Sequence, residues 1–387
     1  MKAFSFLLIV MSMLFGGCTP AQRQAEEKTA PGTPARRRRI QITSPQVNSD
    51  NSVTFRTYAP AAEVVKVGPQ WLGRLVAMTK NERGVWSVTT KPAEPGIYNY
   101  FFEIDGVRTI DQNHYWIKAG LRPNASLLEV PAAEPLLTEE QNVPHGVLHI
   151  HRYKSKSLGV NRGVYIYTPP SYYKDKNARY PVLYLLHGGG DNEEGWTTVG
   201  RANFIADNLL ARKKAVPMII AMPFGHVPEK KDLSEQQWRR HRTASFQKDL
   251  LGDVIGLVEN NYRTINDAQH RAMAGLSMGG GQTVNIGLAN LDKFTWLGAF
   301  SSAVRKTDIE DRIDKLFEDP DFVNSRLNLF WIGCGNRDFL FDANKKFIEY
   351  LEQKNIKHAQ RFTEGKHTWI VWRRYLGEFL PLLFKSQ

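Results

Sequence analysis

Hydrophobic and polar positions change rhythm along this chain. From Ile40 to about Val130, short segments alternate apolar and polar residues and are broken by turn residues. Val53–Tyr58, Gly84–Thr89 and Ile97–Ile104 carry the period of two expected of strands with one buried face. Asp105-Gly106 then supplies the residues of a tight hairpin turn. Short strands at this spacing, without a helical period, predict a small all-β, immunoglobulin-like sandwich over residues 40–130. Residues 131–144, with Pro at both ends, read as a linker. From residue 145 to 387 strand and helix patterns alternate. Strands are expected at Arg162–Thr168, Tyr180–Leu186, Val216–Met222, Arg271–Ala274, Phe294–Phe300, Leu327–Ile332 and His358–Thr363. Helices are expected at Phe204–Leu210, Phe246–Tyr262, Gly280–Ala289, Ala343–Lys354 and from Ile370 onward. Tyr180–Leu186 is almost wholly apolar, as a strand covered on both faces must be. The alternation predicts a mostly parallel sheet with helices on both faces, an α/β architecture.

Composition changes this picture mainly at the N-terminus. Lys2 precedes an apolar stretch, Ala3–Phe15, that is too short to span a bilayer and leads to Gly16-Gly17-Cys18. Residues 1–17 resemble a bacterial lipoprotein signal, with Cys18 as the lipidated first residue of an exported, envelope-anchored protein. Residues 18–39, rich in Pro, Ala, Gln, Glu and Arg, have little to bury and read as a tether. The formal charge is +12, part of it in Arg36–Arg39. No nucleic-acid motif accompanies that charge, which speaks to solubility rather than to a nucleic-acid partner. Cys334 is the other cysteine and falls in an apolar strand, where a small core residue is expected.

Candidate chemistry centres on Gly275-Leu276-Ser277-Met278-Gly279 between a strand and a helix. A nucleophile elbow needs that context, because the serine projects from a sharp turn with no room for neighbouring side chains. A serine hydroxyl also needs a base, oriented in turn by an acid. Only His358 and His367 follow Ser277; His367 lies in the turn before the terminal helix, at the sheet edge where ligands gather. Asp338, in the loop after the strand ending at Gly335, is preferred as the acid over Asp342, which suits a helix N-terminus. Oxyanion donors are expected from the Met278 N–H and from Gly189 in His187-Gly188-Gly189-Gly190, with Gly188 and Gly190 as alternatives. Trp196, Phe339, Leu340 and Trp369 flank these loops and are candidates for packing an acyl group or the core. Trp71, Trp86, Tyr98 and Trp116 of the sandwich are candidates for a sugar-stacking platform or, again, for core.

Together, Tyr184–Gly190 with Glu193 and Trp196, Arg271–Gly281, Asn336-Arg337-Asp338 and Gly365–Trp369 with Trp372-Arg373 resemble carbohydrate esterase family 1. That group holds bacterial feruloyl and acetylxylan esterases and is related to esterase D and enterochelin esterases. The likeness spans most of residues 145–387 and implies an α/β-hydrolase fold, a Ser277–Asp338–His367 triad, and no metal or cofactor. Phe55–Pro60, Gly84–Trp86 and Tyr98–Phe102 resemble the immunoglobulin-like modules related to glycogen-binding domains. The joint expectation is a serine esterase that removes feruloyl or acetyl groups from xylan-type plant cell-wall polysaccharides or feruloylated oligosaccharides. The rivals are hydrolysis of a siderophore or other small ester, and a non-catalytic glycan-binding lipoprotein.

Overall fold

A computed structural model describes residues 41–118, 120–304 and 313–385. The signal-like segment, Cys18 and the Arg36–Arg39 run lie outside the described residues. Ile42–Gln387 form one compact unit.

The large sheet has eight strands: β1 (Val147–Lys154), β2 (Asn161–Thr168), β3 (Val182–Leu186), β4 (Ile219–Pro223), β5 (Arg271–Leu276), β6 (Trp296–Phe300), β7 (Leu329–Gly335) and β8 (Ala359–Thr363). Their spatial order is β1-β2-β4-β3-β5-β6-β7-β8. β2 pairs antiparallel with both neighbours, and all pairs from β4 to β8 are parallel. β3, β4 and β6 are buried at every position and β5 at every position after Arg271, which is why they read as continuous apolar runs. One core packs Val254, Val258, Ile286, Phe330 and Phe347 against one face of the sheet. On the other, Leu209, Phe300, Trp331, Tyr375 and Phe379 pack together. This is the α/β-hydrolase fold, with the chain reversing its winding between the adjacent strands β3 and β5.

Among the elements that escaped the hydrophobic pattern, two bear on the architecture around the site. β1 alternates exposed and half-buried residues and runs along the sheet edge. The expected helix at Phe246–Tyr262 begins earlier, at Glu235, and passes through a π-helical stretch, Asp249–Val254. Its first eleven residues are mostly polar, so no apolar stripe announces them. The start was nevertheless written locally: Ser234 and Gln237 form a reciprocal capping box. The π turn buries Asp249, whose carboxylate meets the buried Arg162 guanidinium at 2.8 Å.

The N-terminal region is all-β: two four-stranded sheets and the pair Gly96–Tyr100 with Ser126–Val130. Asp105 and Gly106 both take positive φ, 47° and 83°, at the hairpin that joins Phe102–Ile104 to Val107–Thr109. Trp86 and Tyr98 belong to the sandwich core, and Trp71 packs on it against Phe55 and Tyr98. The Trp116 indole N–H donates to the Thr198 carbonyl across the junction with the hydrolase layer. The four aromatics therefore form no exposed platform.

Side-chain alternation along one strand pair ties the sandwich to its neighbour. Tyr98 and Leu128 point into the sandwich core, whereas Ile97 and Leu127 point the other way, into the core beneath the hydrolase helices. The buried Arg373 guanidinium of the terminal helix (Trp369–Phe379) donates two hydrogen bonds to the Ile97 carbonyl. The sandwich is thus built into the α/β layers along this edge.

Candidate active site

Ser277 caps β5 with φ 53° and ψ −112°, a backbone region that L-residues rarely occupy. Such a conformation costs roughly 1–3 kcal/mol and persists only where the surroundings enforce it. They do so here: the Ser277 N–H donates to the Phe300 carbonyl at 2.8 Å, and its carbonyl accepts from Ala303 at 3.0 Å. A Cβ at Gly275 would lie 2.6 Å from the Gly279 carbonyl carbon. One at Gly279 would lie 2.7 Å from the His187 carbonyl oxygen, so the two glycines let the turn close.

The Ser277 hydroxyl donates to His367 Nε2 at 3.0 Å. The opposite ring nitrogen, His367 Nδ1–H, donates to both Asp338 carboxylate oxygens, at 2.8 and 2.9 Å. Burial pushes the Asp338 carboxyl upward, but the bonds from His367 and the Leu340 N–H outweigh it and hold the group below the ordinary carboxylate range. The carboxylate is therefore ionised when the imidazole gains a proton, which is what an orienting acid requires. Asp342 sits in the first turn of the helix Phe341–Gln353. His358 faces the Ile356 carbonyl, so neither rival joins the cluster.

On the β3 side the loop His187–Gly190 runs past Ser277. His187 Nδ1–H donates to the Gly188 carbonyl, and Nε2 accepts from the Gly225 N–H, each at 2.8 Å. Burial pushes this imidazole down to about 4, so it is neutral and its tautomer is fixed. Met278 is the first residue of the helix after the elbow, and its N–H has no acceptor within that helix. Gly188, Gly189 and Gly190 line a cleft of about 350 Å³ with Ser277 and His367. An anion at the mouth of this loop faces backbone donors and a helix N-terminus.

Of the four candidate acyl-packing residues, Trp369 alone lines the cleft. Trp196 is a correction: it is 1% exposed, donates its indole N–H to the Leu186 carbonyl and packs edge-on against Trp369 from within the core. A large, mostly apolar ring is more stable there than in a wet cleft. Phe339 is exposed at 77%, with its ring 4.3 Å from His367. Leu340 leads into the next helix and does not line the cleft.

Sequence reasoning missed Gln70, Asn99, Lys118, Leu127 and Arg373, all of which line the same cleft. The first four come from the sandwich. The available signal was the strand Ile97-Tyr98-Asn99-Tyr100, whose apolar residues fall on both faces, as one covered on both sides would.

A family model for esterases matches residues 155–383. Carbohydrate-binding module 48, the isoamylase N-terminal domain, matches residues 43–117. An endo-1,4-beta-xylanase/feruloyl esterase from Xylanibacter ruminicola is 32% identical over 349 residues, covering 88% of this chain and 46% of that protein. The chain thus spans less than half of that relative's length. A solved ferulic acid esterase superposes with a TM-score of 0.54 at 28% identity, covering 62% of this chain and 98% of its own. The enterobactin esterase FES from Shigella flexneri shares the fold, with a TM-score of 0.60 at 19% identity over 85% of this chain and 92% of its own.

Proposed function

The chain belongs to this esterase family, and from that premise we propose that it is a serine carboxylester hydrolase releasing feruloyl or acetyl groups from xylan-type plant polysaccharides. The observation that carries the proposal is the unbroken hydrogen-bond chain Ser277–His367–Asp338 opening on a cleft beside Gly189 and Met278. His367 takes the Ser277 proton as the oxygen attacks the ester carbonyl, and Asp338 holds the imidazolium. The Gly189 and Met278 N–H groups receive the oxyanion, an interaction worth about 10²–10³ in rate per donor. His367 then protonates the departing sugar oxygen. In the second half, water loses a proton to His367, attacks the acyl carbonyl and frees Ser277.

Likeness to the Xylanibacter ruminicola xylanase/feruloyl esterase and to the solved ferulic acid esterase supports the aromatic acyl group. So do the apolar walls Leu276, Trp369 and Trp372 around the serine. Turnover of methyl ferulate, acetylated xylan and an aryl acetate by wild type and Ser277→Ala tests the reading. Loss of all turnover in Ser277→Ala is expected. No turnover of any ester by wild type would reject the enzyme. The leader pattern supports export and attachment to the cell envelope through a lipid on Cys18. Membrane association that survives Cys18→Ala would reject the anchor.

A further inference from the structure

The cleft has a chemically distinct wall, contributed mainly by the sandwich. Besides the apolar Leu276, Trp369 and Trp372, its lining holds the carboxamides of Gln70 and Asn99, the Lys118 ammonium and the Arg373 guanidinium. Asn99 is held firmly by its backbone: its N–H donates to Gln70 Oε1, and its carbonyl accepts from the Gln70 N–H, each at 3.0 Å. Its side-chain oxygen is buried yet has no hydrogen-bond partner among the described residues. A buried acceptor left open costs about 1–3 kcal/mol, so its retention at a cleft wall points to a partner that arrives with a ligand. Asn99 lies two residues from Ile97 and directly opposite Leu127 in the strand pair, on the face turned to the hydrolase layer.

The neighbouring groups define what that partner is. Gln70 uses its carbonyl oxygen on Asn99 and leaves its amide hydrogens to the cleft. Lys118 sits 3.6 Å from the buried Asp191 carboxylate, so its charge is answered within the wall. Three of the five Arg373 N–H directions are taken by the Trp369 and Ile97 carbonyls. The wall therefore offers one open acceptor flanked by donors. That set suits a neutral hydroxyl beside a second oxygen, which donates one bond and accepts others. It does not suit a hydrocarbon end.

We propose that the sandwich wall, with Asn99 at its centre and Gln70 and Lys118 beside it, is a specificity subsite for a hydroxyl group of the ester. On this assignment the module works as part of the esterase cleft. The inference rests on the esterase reading above. A phenolic hydroxyl on the acyl group and a sugar hydroxyl on the leaving group present the same chemistry, and substrate pairs separate them. Methyl ferulate against methyl cinnamate isolates the ring oxygens. Feruloylated arabinose against methyl ferulate isolates the sugar.

The test measures kcat and KM for these three esters with wild type, Asn99→Leu and Asn99→Asp, after thermal melts establish that each variant is folded. Asn99→Leu removes the acceptor, and Asn99→Asp keeps an acceptor oxygen. Loss of one hydrogen bond is about tenfold in affinity. The expected result is an approximately tenfold fall in one preference ratio with Asn99→Leu, carried mainly by KM, and recovery of most of it with Asn99→Asp. A fall in the ferulate/cinnamate ratio assigns the phenol; a fall in the arabinose ratio assigns the sugar. Ratios unchanged in Asn99→Leu, or all three esters slowed alike, would overturn the subsite while leaving the esterase intact. Wild type that ignores every feruloyl ester but hydrolyses an aryl acetate through Ser277 would reject the feruloyl reading, and the subsite with it.

Discussion

Ser277, Asp338 and His367 stand at or just beyond the carboxyl ends of parallel strands, whereas Gln70, Asn99 and Lys118 reach the same cleft from a turn, a strand face and an irregular connection. The first set is positioned by local chain geometry. A sharp turn after a buried strand aims the serine, and loops after β7 and β8 bring up its partners. The second set is positioned by packing at a distance: Ile97 and Leu127 enter the hydrolase core, and Arg373 grips the Ile97 carbonyl. The join extends to the oxyanion loop, where the Leu121 N–H donates to the Gly190 carbonyl. One wall of the cleft is thus encoded by motif and the other by docking, and the two should fail differently when disturbed.

The largest effects should come from the motif side. Asp338→Asn keeps the shape but cannot hold the imidazolium, and kcat should fall about 10⁴-fold with KM little changed. A loss under tenfold in steady-state assays would show that Asp338 does not orient His367. Gly279→Ala places a methyl group against the His187 carbonyl oxygen and the Leu186 backbone. It should cost about 3 kcal/mol or more and lower the melting temperature by several degrees. An unchanged melt would mean that the turn has slack.

Acid comes next and acts beneath the oxyanion loop. Burial pushes both His187 and the adjacent His226 down to about 4. Unfolded histidines titrate near ~6.5, so between that pH and about 4 the unfolded chain binds more protons and stability falls as pH falls. The loss should be of order 3 kcal/mol for His187. Denaturant melts of His187→Asn should show a flatter pH dependence in that window; an equally steep one would point to other groups.

On the docking side effects should be smaller. Lys118→Met leaves the buried Asp191 carboxylate without its ion partner. Burial already raises that carboxyl, and Lys118 opposes the rise. The variant should lose about 1–3 kcal/mol near neutral pH. An acid raised by burial opposes folding only while its unfolded form is ionised, so the penalty should shrink as pH falls toward ~4. A penalty independent of pH would place the role of Lys118 in packing alone.

The same division explains what the sequence disclosed. The elbow glycines, the single histidine in a turn after the last strand, and the Asp after β7 could be found because each sits at a fixed offset from a strand end. The continuous apolar run of β3 marked a buried strand for the same reason. Trp196 stayed open between cleft and core because flanking a catalytic loop does not tell which way a ring turns. Asn99 was invisible because its meaning depends on which sheet covers its face of the strand. Residues 235–245 lacked an apolar stripe, and only the Ser234–Gln237 box recorded that a helix begins there.

The most direct measurement is mass-spectrometric mapping of the acyl-enzyme after rapid acid quench of the full protein with methyl ferulate. A feruloyl adduct is expected on the peptide containing Ser277 in wild type, and none in Ser277→Ala. Turnover with an adduct on a different residue, or a Ser277→Ala protein that still hydrolyses the ester at the wild-type rate, would contradict Ser277 as the nucleophile.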